Sequence, residues 1–388
     1  MILFTITLLA TLAALPATVA DPWADKYGGF PDPAFAGVAT FAHLDHQRCL
    51  DQPELPLDLA IIGVPYDSAV TFRPGARFGP YGLRSGSRRQ ATARGYSQTL
   101  GINPYDGRLS VFDCGDVPVI PNDPAVAIDQ VRAAYSSLLS RKVVSPERMK
   151  DLGYAKGLDG EYHPRMVTLG GITPFWNPNR YRTLSGQNKI GHGTFFWHAY
   201  EAGYIKPNSS IHAGVRTRYT GPSDLDDDIT AGFQLVHAFD IDDLGVPEVV
   251  RRIKERIGNS PVVISLDVDV MDPSTAPASM YPLHLDWTPL IEVKICPILA
   301  GTPESGGWTS RELRRIIQSL QRLNVVAFDI VELSPAYDTN DSLDCPAEIS
   351  AIAAADCAYD FLCLYALGTD AKLVAEDTEE LSPSHQEL

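Results

Sequence analysis

Basic residues are in short supply. The chain has 32 Lys and Arg against 48 Asp and Glu, a net charge of −16 over 388 residues. That deficit argues against a nucleic-acid backbone or an anionic membrane surface as partner. It suits a cationic small molecule, although solubility alone explains such a surplus more often. Cysteine is also sparse. The six thiols, Cys49, Cys114, Cys296, Cys345, Cys357 and Cys363, form no CxxC or zinc spacing and are too few for a disulfide framework. Most are expected to be buried thiols, with disulfides permitted if the chain is secreted. No repeat is visible, and no run beyond the amino terminus reads as membrane-spanning. At 45% apolar and 21% charged, the composition excludes a wholly disordered chain.

Residues 1–20 contain no charged side chain. Their apolar stretch, Ile2 to Leu15, is too short to cross a bilayer, and Thr18 and Ala20 are small enough to flank a cleavage point before Asp21. This reads as a signal peptide, so a secreted or secretory-pathway protein is expected. The absence of Lys or Arg near Met1 leaves an anchor or a mistaken start as alternatives. Two glycosylation sequons, at Asn208 and Asn340, are compatible with secretion. Residues 21–56, rich in Pro, Gly and aromatics, form an irregular lead-in. Residues 57–367 form the domain, and 368–388 an acidic tail that reads as disordered.

Within the domain, strands are expected at 57–65 (LDLAIIGVP), 109–113, 165–171 (RMVTLGG), Ser210–Val215, Phe233–His237, 261–270 (PVVISLDVDV) and 325–333 (VVAFDIVEL). Helices are expected at 79–90, 124–141, Val246–Ile257, Ser310–Leu323 with Ser310 as N-cap, and Ile349–Leu367. Helices alternating with near-unbroken Val/Ile/Leu strands indicate an α/β fold with a parallel sheet covered on both faces. Chemistry is then expected beyond the carboxyl ends of the strands.

Two motifs lie at such ends, and a third lies on a loop. Asp267 and Asp269, two apart on a strand, would point to one face. Paired carboxylates repel and lose hydration, and a hard divalent cation such as Mg or Mn relieves both. A helix cap or a loop-satisfied Asp pair is the plainer alternative. Glu332 ends the 325–333 strand, where a carboxylate suits a planar guanidinium, and an ordinary strand-end Glu is about as common. His192, flanked by Gly191 and Gly193, suits proton shuttling, although a lone loop His more often has no role.

Taken in order, IIGVPYDSAVTFRPGARFGPYGLR (61–84), VFDCGDV (111–117), VTLGG (167–171), GHGTFF (191–196), AGVRTRY (213–219), SLDVDVMDPSTAP (265–277), GTPESGGWTSREL (301–313) and VVAFDIVELSPAYD (325–338) resemble the ureohydrolase (arginase/agmatinase) family. His192-Gly-Thr-Phe-Phe, Glu201-Ala-Gly and Ala213-Gly-Val-Arg216-Thr are most similar to agmatinases. SGQNKIGHG does not match the polar loop by which arginases hold an α-carboxylate. The resemblance implies a three-layer α/β fold and two Mn ions, whose bridging hydroxide attacks the guanidinium carbon of agmatine to give urea and putrescine. It matches Asp267 and Asp269 to metal ligands, Glu332 to the guanidinium-binding carboxylate and His192 to the shuttle. The partner is then a small guanidino substrate, with a homo-oligomer compatible.

Two departures stand out. The family follows Gly-Gly with Asp-His, then a helix, a strand and a DAHxD cluster; here only Ile172-Thr-Pro-Phe separates Gly171 from Trp176. A strand–helix unit needs far more chain, so one strand–helix segment is expected to be missing after Gly171, together with its ligands. The nearest substitute, His43-Leu44-Asp45-His46, sits in the lead-in. Residues 279–300 (SMYPLHLDWTPLIEVKICPILA) read as an insertion, in the manner of an intron read through. An impaired enzyme is expected, and a non-catalytic protein of the same fold that binds a cationic guanidino or amine ligand is the alternative.

Overall fold

The computed structural model describes residues 33–68, 74–157, 159–171, 195–218, 221–276, 304–338 and 348–369. The expectations for His192, the 279–300 insertion and most of the acidic tail fall outside them. In chain order the main elements are β1 (Leu59–Gly63), α1 (Gly79–Gly86), β2 (Val111–Asp116), α2 (Pro124–Leu139), α3 (Pro146–Asp151), β3 (Arg165–Leu169), α4 (Phe195–Glu201), β4 (Ser210–Val215), α5 (Ser223–Ala231), β5 (Phe233–His237), α6 (Asp240–Ile257), β6 (Val262–Asp267), α7 (Ser310–Gln318), β7 (Val325–Val331) and α8 (Ile349–Leu367).

Five strands form one parallel sheet in the order β2-β1-β3-β7-β6. Alternation along the strands makes two cores. Leu59, Ile61, Val167, Leu169, Phe328 and Ile330 face one side, under α1, α7 and α8. Ala60, Ile62, Met166 and Ala327 face the other, under α2 and the lead-in. Both faces of a parallel sheet must be covered because neither can be solvated cheaply. The result is the expected three-layer α/β arrangement.

Helix boundaries follow local chemistry. α2 starts at Pro124 because Asp123 caps the N–H groups of Ala125 and Val126. α7 is capped by Thr309, not by Ser310, through a reciprocal capping box with Glu312. α6 begins six residues before the expected helix, with Gly245 at φ 73° and Pro247 marking a kink. α8 has the length and apolarity of a membrane span, but it is mostly buried in this core. Its Asp360 receives a bidentate Arg314 at 2.7 and 3.1 Å.

The sheet is interrupted. β4 and β5 pair with each other as a separate parallel ribbon. Among the described residues, no strand pairs with the outer edge of β6 or of β4. Val263 on β6 is 64% exposed, an unusual setting for a strand in a parallel sheet. A strand placed between β6 and β4 would join the two pieces, which agrees with the expected missing segment. Arg256 fastens the ribbon to α6 by donating to the carbonyls of Ser210 and Gly232.

The lead-in is more ordered than its composition suggests. Cys49 and Cys114 form a disulfide that binds it to β2, beside an Arg84 guanidinium held by Asp113 (2.8 Å) and Asp116 (2.7 Å). Cys357 and Cys363 are the buried free thiols among the described residues. The other two cysteines lie outside them.

A polar network crosses the sheet on the α2 side. Ser265 donates to Asp329 at 2.6 Å, and Thr168, registered beside Asp329, shares a 2.6 Å hydrogen bond with Tyr135. Burial pushes the Asp329 carboxyl up to about 6, against the opposing Ser265 bond.

Two outcomes are expected. Reduction, or Cys114→Ser, should destabilise the fold by about 2–4 kcal/mol, since the disulfide closes a loop of 65 residues; denaturant titration with and without reductant measures this. The folded state keeps the Asp329 proton to about pH 6, whereas the unfolded chain releases it near 3.8. The associated stability is therefore complete below pH 3.8 and declines as pH rises through that window. Asp329→Asn should stabilise the protein relative to wild type at pH 7.5 but not at pH 4. An equal effect at both values would contradict the assignment.

Candidate functional site

The carboxyl edge of the sheet is a backbone-to-backbone junction. Gly170 and Gly171 follow β3 with φ of +72° and +85°. A Cβ on Gly170 would collide with the Pro80 ring at the start of α1, and one on Gly171 would lie 2.7 Å from the Val64 carbonyl. Only glycine satisfies both the left-handed dihedrals and that proximity. Gly170 N–H donates to Ile330 O at 2.7 Å, and Glu332 N–H donates to Gly171 O at 3.0 Å. Glu332 is itself left-handed, with φ 62°, a strained state for a non-glycine residue at the end of a strand.

β6 reaches the same edge, with Asp267 in register with Val331. The expected strand to residue 270 is corrected here. β6 ends at Asp267, and Val268–Val270 form a 3-10 turn, so Asp269 does not continue the strand. The cause is local: the Asp267 carboxylate accepts the Asp269 N–H at 2.7 Å, the turn-forming habit of aspartate. Asp269 and Glu332 are both buried. Asp267, Asp269 and Glu332 thus lie at the ends of adjoining strands.

Two groups that sequence reasoning did not assign hold this edge. Arg216, just past β4, donates to the carbonyls of Asp269 (2.5 Å) and Glu304 (2.8 Å), locking the Asp269 turn to the ribbon. Asp67, in the loop after β1, accepts the N–H groups of Gly75 (2.7 Å) and Arg77 (3.2 Å) and the Arg77 guanidinium (2.5 Å). Each lies inside a motif quoted above, AGVRTRY and GVPYDSAV, and position at a strand's carboxyl end was the available signal. Asp272 closes the turn. Burial pushes its carboxyl up, but Ser274, Gly306 and Gly307 donate to it and hold it below the usual range.

A two-metal centre does not fit the described donors. No group of three or more His, Cys, Asp and Glu side chains among the described residues could hold a metal ion. One Asp267 oxygen already accepts a backbone N–H. His43 and His46 cannot substitute: the His43 ring bonds the Arg88 carbonyl at 2.9 Å, and the His46 main chain is paired beside Asp113 of β2. β2 and β6 are opposite edges of five strands, about 19 Å apart at the usual spacing. His212 of β4 is stacked 4.0 Å from Phe233, and burial lowers its pKa to about 4.

A family model described as the arginase family matches residues 57–171, 176–284 and 300–364. Its first break falls directly after Gly171, and its second, 285–299, falls within the expected insertion. A Schizosaccharomyces pombe relative provisionally named agmatinase 1 is 37% identical over 85% of this chain and 83% of its own. The solved proclavaminate amidino hydrolase of Streptomyces clavuligerus superposes with a TM-score of 0.63 at 26% identity, covering 87% of this chain and 99% of that one. A Trypanosoma cruzi formiminoglutamase, solved with Mn2+, shares the fold at a TM-score of 0.58 and 17% identity, over 83% and 99% of the two chains.

The left-handed Glu332 predicts an inverted substitution order. Both Glu332→Ala and Glu332→Gly remove the carboxylate, but alanine keeps the backbone penalty. The glycine variant should be the more stable by about 1 kcal/mol in thermal or chemical unfolding. A more stable alanine variant would show that the backbone is not strained there.

Proposed function

The chain belongs to the arginase family, and we propose that it is an agmatinase-like ureohydrolase by descent that keeps the substrate-facing carboxylates and has lost the donors for hydrolysis. The observation that carries this reading is the pairing of a preserved strand edge, Asp267, Asp269 and Glu332, with a family match that breaks immediately after Gly171. The agmatinase reading is supported by the provisional name of the S. pombe relative and by the His192 motif.

In this account Glu332 is the anchor. A buried carboxylate suits a planar guanidinium, and a low-dielectric setting strengthens that charge-assisted pair. Arg216 acts through the main chain, positioning Asp269 without reaching the ligand. His192 is assigned the proton shuttle on the motif alone. Asp267 and Asp269 are the carboxylates that would face Mn, the metal of the solved formiminoglutamase. Two carboxylates without imidazole partners do not make a site for two ions, so no hydrolytic step is assigned to this chain. What remains is binding of a small guanidino cation. The acidic balance of −16 favours its approach.

The same reading places the protein in the secretory pathway. The uncharged leader supports this, as does the Cys49–Cys114 disulfide, because such bonds persist in oxidising compartments.

The assay is urea release from agmatine with added Mn. The chain as written should give none. A version with a Gly-Gly-Asp-His segment and a DAHxD strand restored between Gly171 and Trp176, and with 279–300 deleted, should turn over. Turnover by the unaltered chain that Asp267→Ala abolishes would show that the remaining donors suffice. Agmatine binding without Mn, lost in Glu332→Gln, would favour the purely binding protein.

A further inference from the structure

The opposite edge of the sheet carries a feature of contrary charge. A cavity of about 440 Å³ is lined by Thr99, Leu100, Lys254, Arg315, Gln318, Ser319, Gln321 and Arg322. Three of these are cations and none is acidic, on a chain whose net charge is −16. Lys254 lies in the last turn of α6, which leads into β6, and Arg315 and Arg322 flank the end of α7, which leads into β7. The cavity therefore lies at the amino-terminal ends of β6 and β7, where Val262 N–H donates to Asn324 O. Asp267 and Glu332 occupy the other ends of the same strands.

Several arginines elsewhere on the surface have acid partners, among them Arg48, Arg132, Arg251, Arg252 and Arg314. Among the described residues, Lys254, Arg315 and Arg322 form no ion pair. Like charges left together repel one another. Burial lowers the Lys254 pKa, and the neighbouring Arg322 charge lowers it further. Arg322 also holds a left-handed backbone, φ 74°, a disfavoured state for a non-glycine residue. Such strain persists where the surroundings over-determine it, often at a ligand site. The Thr99 and Ser319 hydroxyls complete the polar lining, while the Gln318 and Gln321 amides already donate to Asp360 (3.0 Å) and to the Gln318 carbonyl (3.1 Å). The Thr99–Leu100 wall is held by a tight turn in which Ser97 N–H donates to Ile102 O at 2.8 Å.

We propose that this cavity binds a multiply charged, phosphate-bearing small molecule, held by Lys254, Arg315 and Arg322 at the edge of the sheet remote from the carboxylates. A single carboxylate would use two oxygens and one charge. A diphosphate group presents more oxygens and more negative charge, which suits three cations and two hydroxyls. The volume admits a ligand of ordinary metabolite size. A guanidino cation would be repelled here, so the site is distinct from the one at the carboxyl edge and stands whether or not that one is active.

The probe is inorganic pyrophosphate, titrated calorimetrically into the full-length chain, with inorganic phosphate and citrate as comparisons. Pyrophosphate should bind most tightly, with affinity falling as salt rises. The double variant Arg315→Gln/Arg322→Gln should weaken it by about a hundredfold, at roughly tenfold per charge-assisted contact. Arg132→Gln, on a distant exposed helix face, should leave it unchanged. Acylation by a succinimidyl ester, mapped by mass spectrometry, gives an independent readout: pyrophosphate should protect Lys254 but not Lys150. No binding, binding equal in the double variant, or tighter binding of citrate than of pyrophosphate would overturn the proposal.

Discussion

The carboxyl edge depends on main chains meeting without side chains between them. Gly170 and Gly171 let β3 turn away beside Pro80 and the Val64 carbonyl, and the Gly171 carbonyl then receives Glu332. That contact sets where β7 stops and where the Glu332 carboxylate stands. The loop after β1, held by Asp67, and the start of α1 close over the same point. α8 packs against α1, α7 and β7, so the buried core of the molecule is built around this junction. A side chain at Gly170 would displace α1 and the strand ends together.

A second constraint runs the other way. A parallel sheet is stable when every strand has neighbours and both faces are covered. Here β6 and β4 each present an edge that no described strand fills, and Val263 stands exposed on one of them. The family match is interrupted directly after Gly171, where a strand–helix unit would leave β3. That break coincides with a sheet split into five strands and two and, on the reading proposed above, with the loss of the donors that a pair of metal ions would need beside Asp267 and Asp269. Arg216 and Arg256 partly compensate, binding the ribbon to the Asp269 turn and to α6 through carbonyls.

Much of this was legible in the sequence. Strand runs such as LDLAIIGVP are largely apolar because both faces are buried, and three helices, α2, α3 and α7, carry capping side chains at their starts. What escaped was set by contacts distant in sequence or by competing local chemistry. Asp269 leaves the strand because the preceding carboxylate prefers its N–H to a ladder position. Thr309 caps α7 ahead of Ser310 because Glu312 can answer it. The Cys49–Cys114 pair joins residues 65 apart, which spacing alone cannot select from six cysteines. Asp67 and Arg216 were visible only as members of motifs. Their roles come from the loop and turn carbonyls that folding brings to them. The placement of Asp267 and Glu332 at one edge followed from strand order alone, whereas their surroundings required the fold.

The central claim is that the carboxylates persist without the donors for a two-metal centre. Manganese content, measured by mass spectrometry on the full-length chain after Mn loading and gel filtration, tests it most directly. The account predicts less than one retained Mn per chain, and two per chain, reduced by Asp269→Asn, would contradict it.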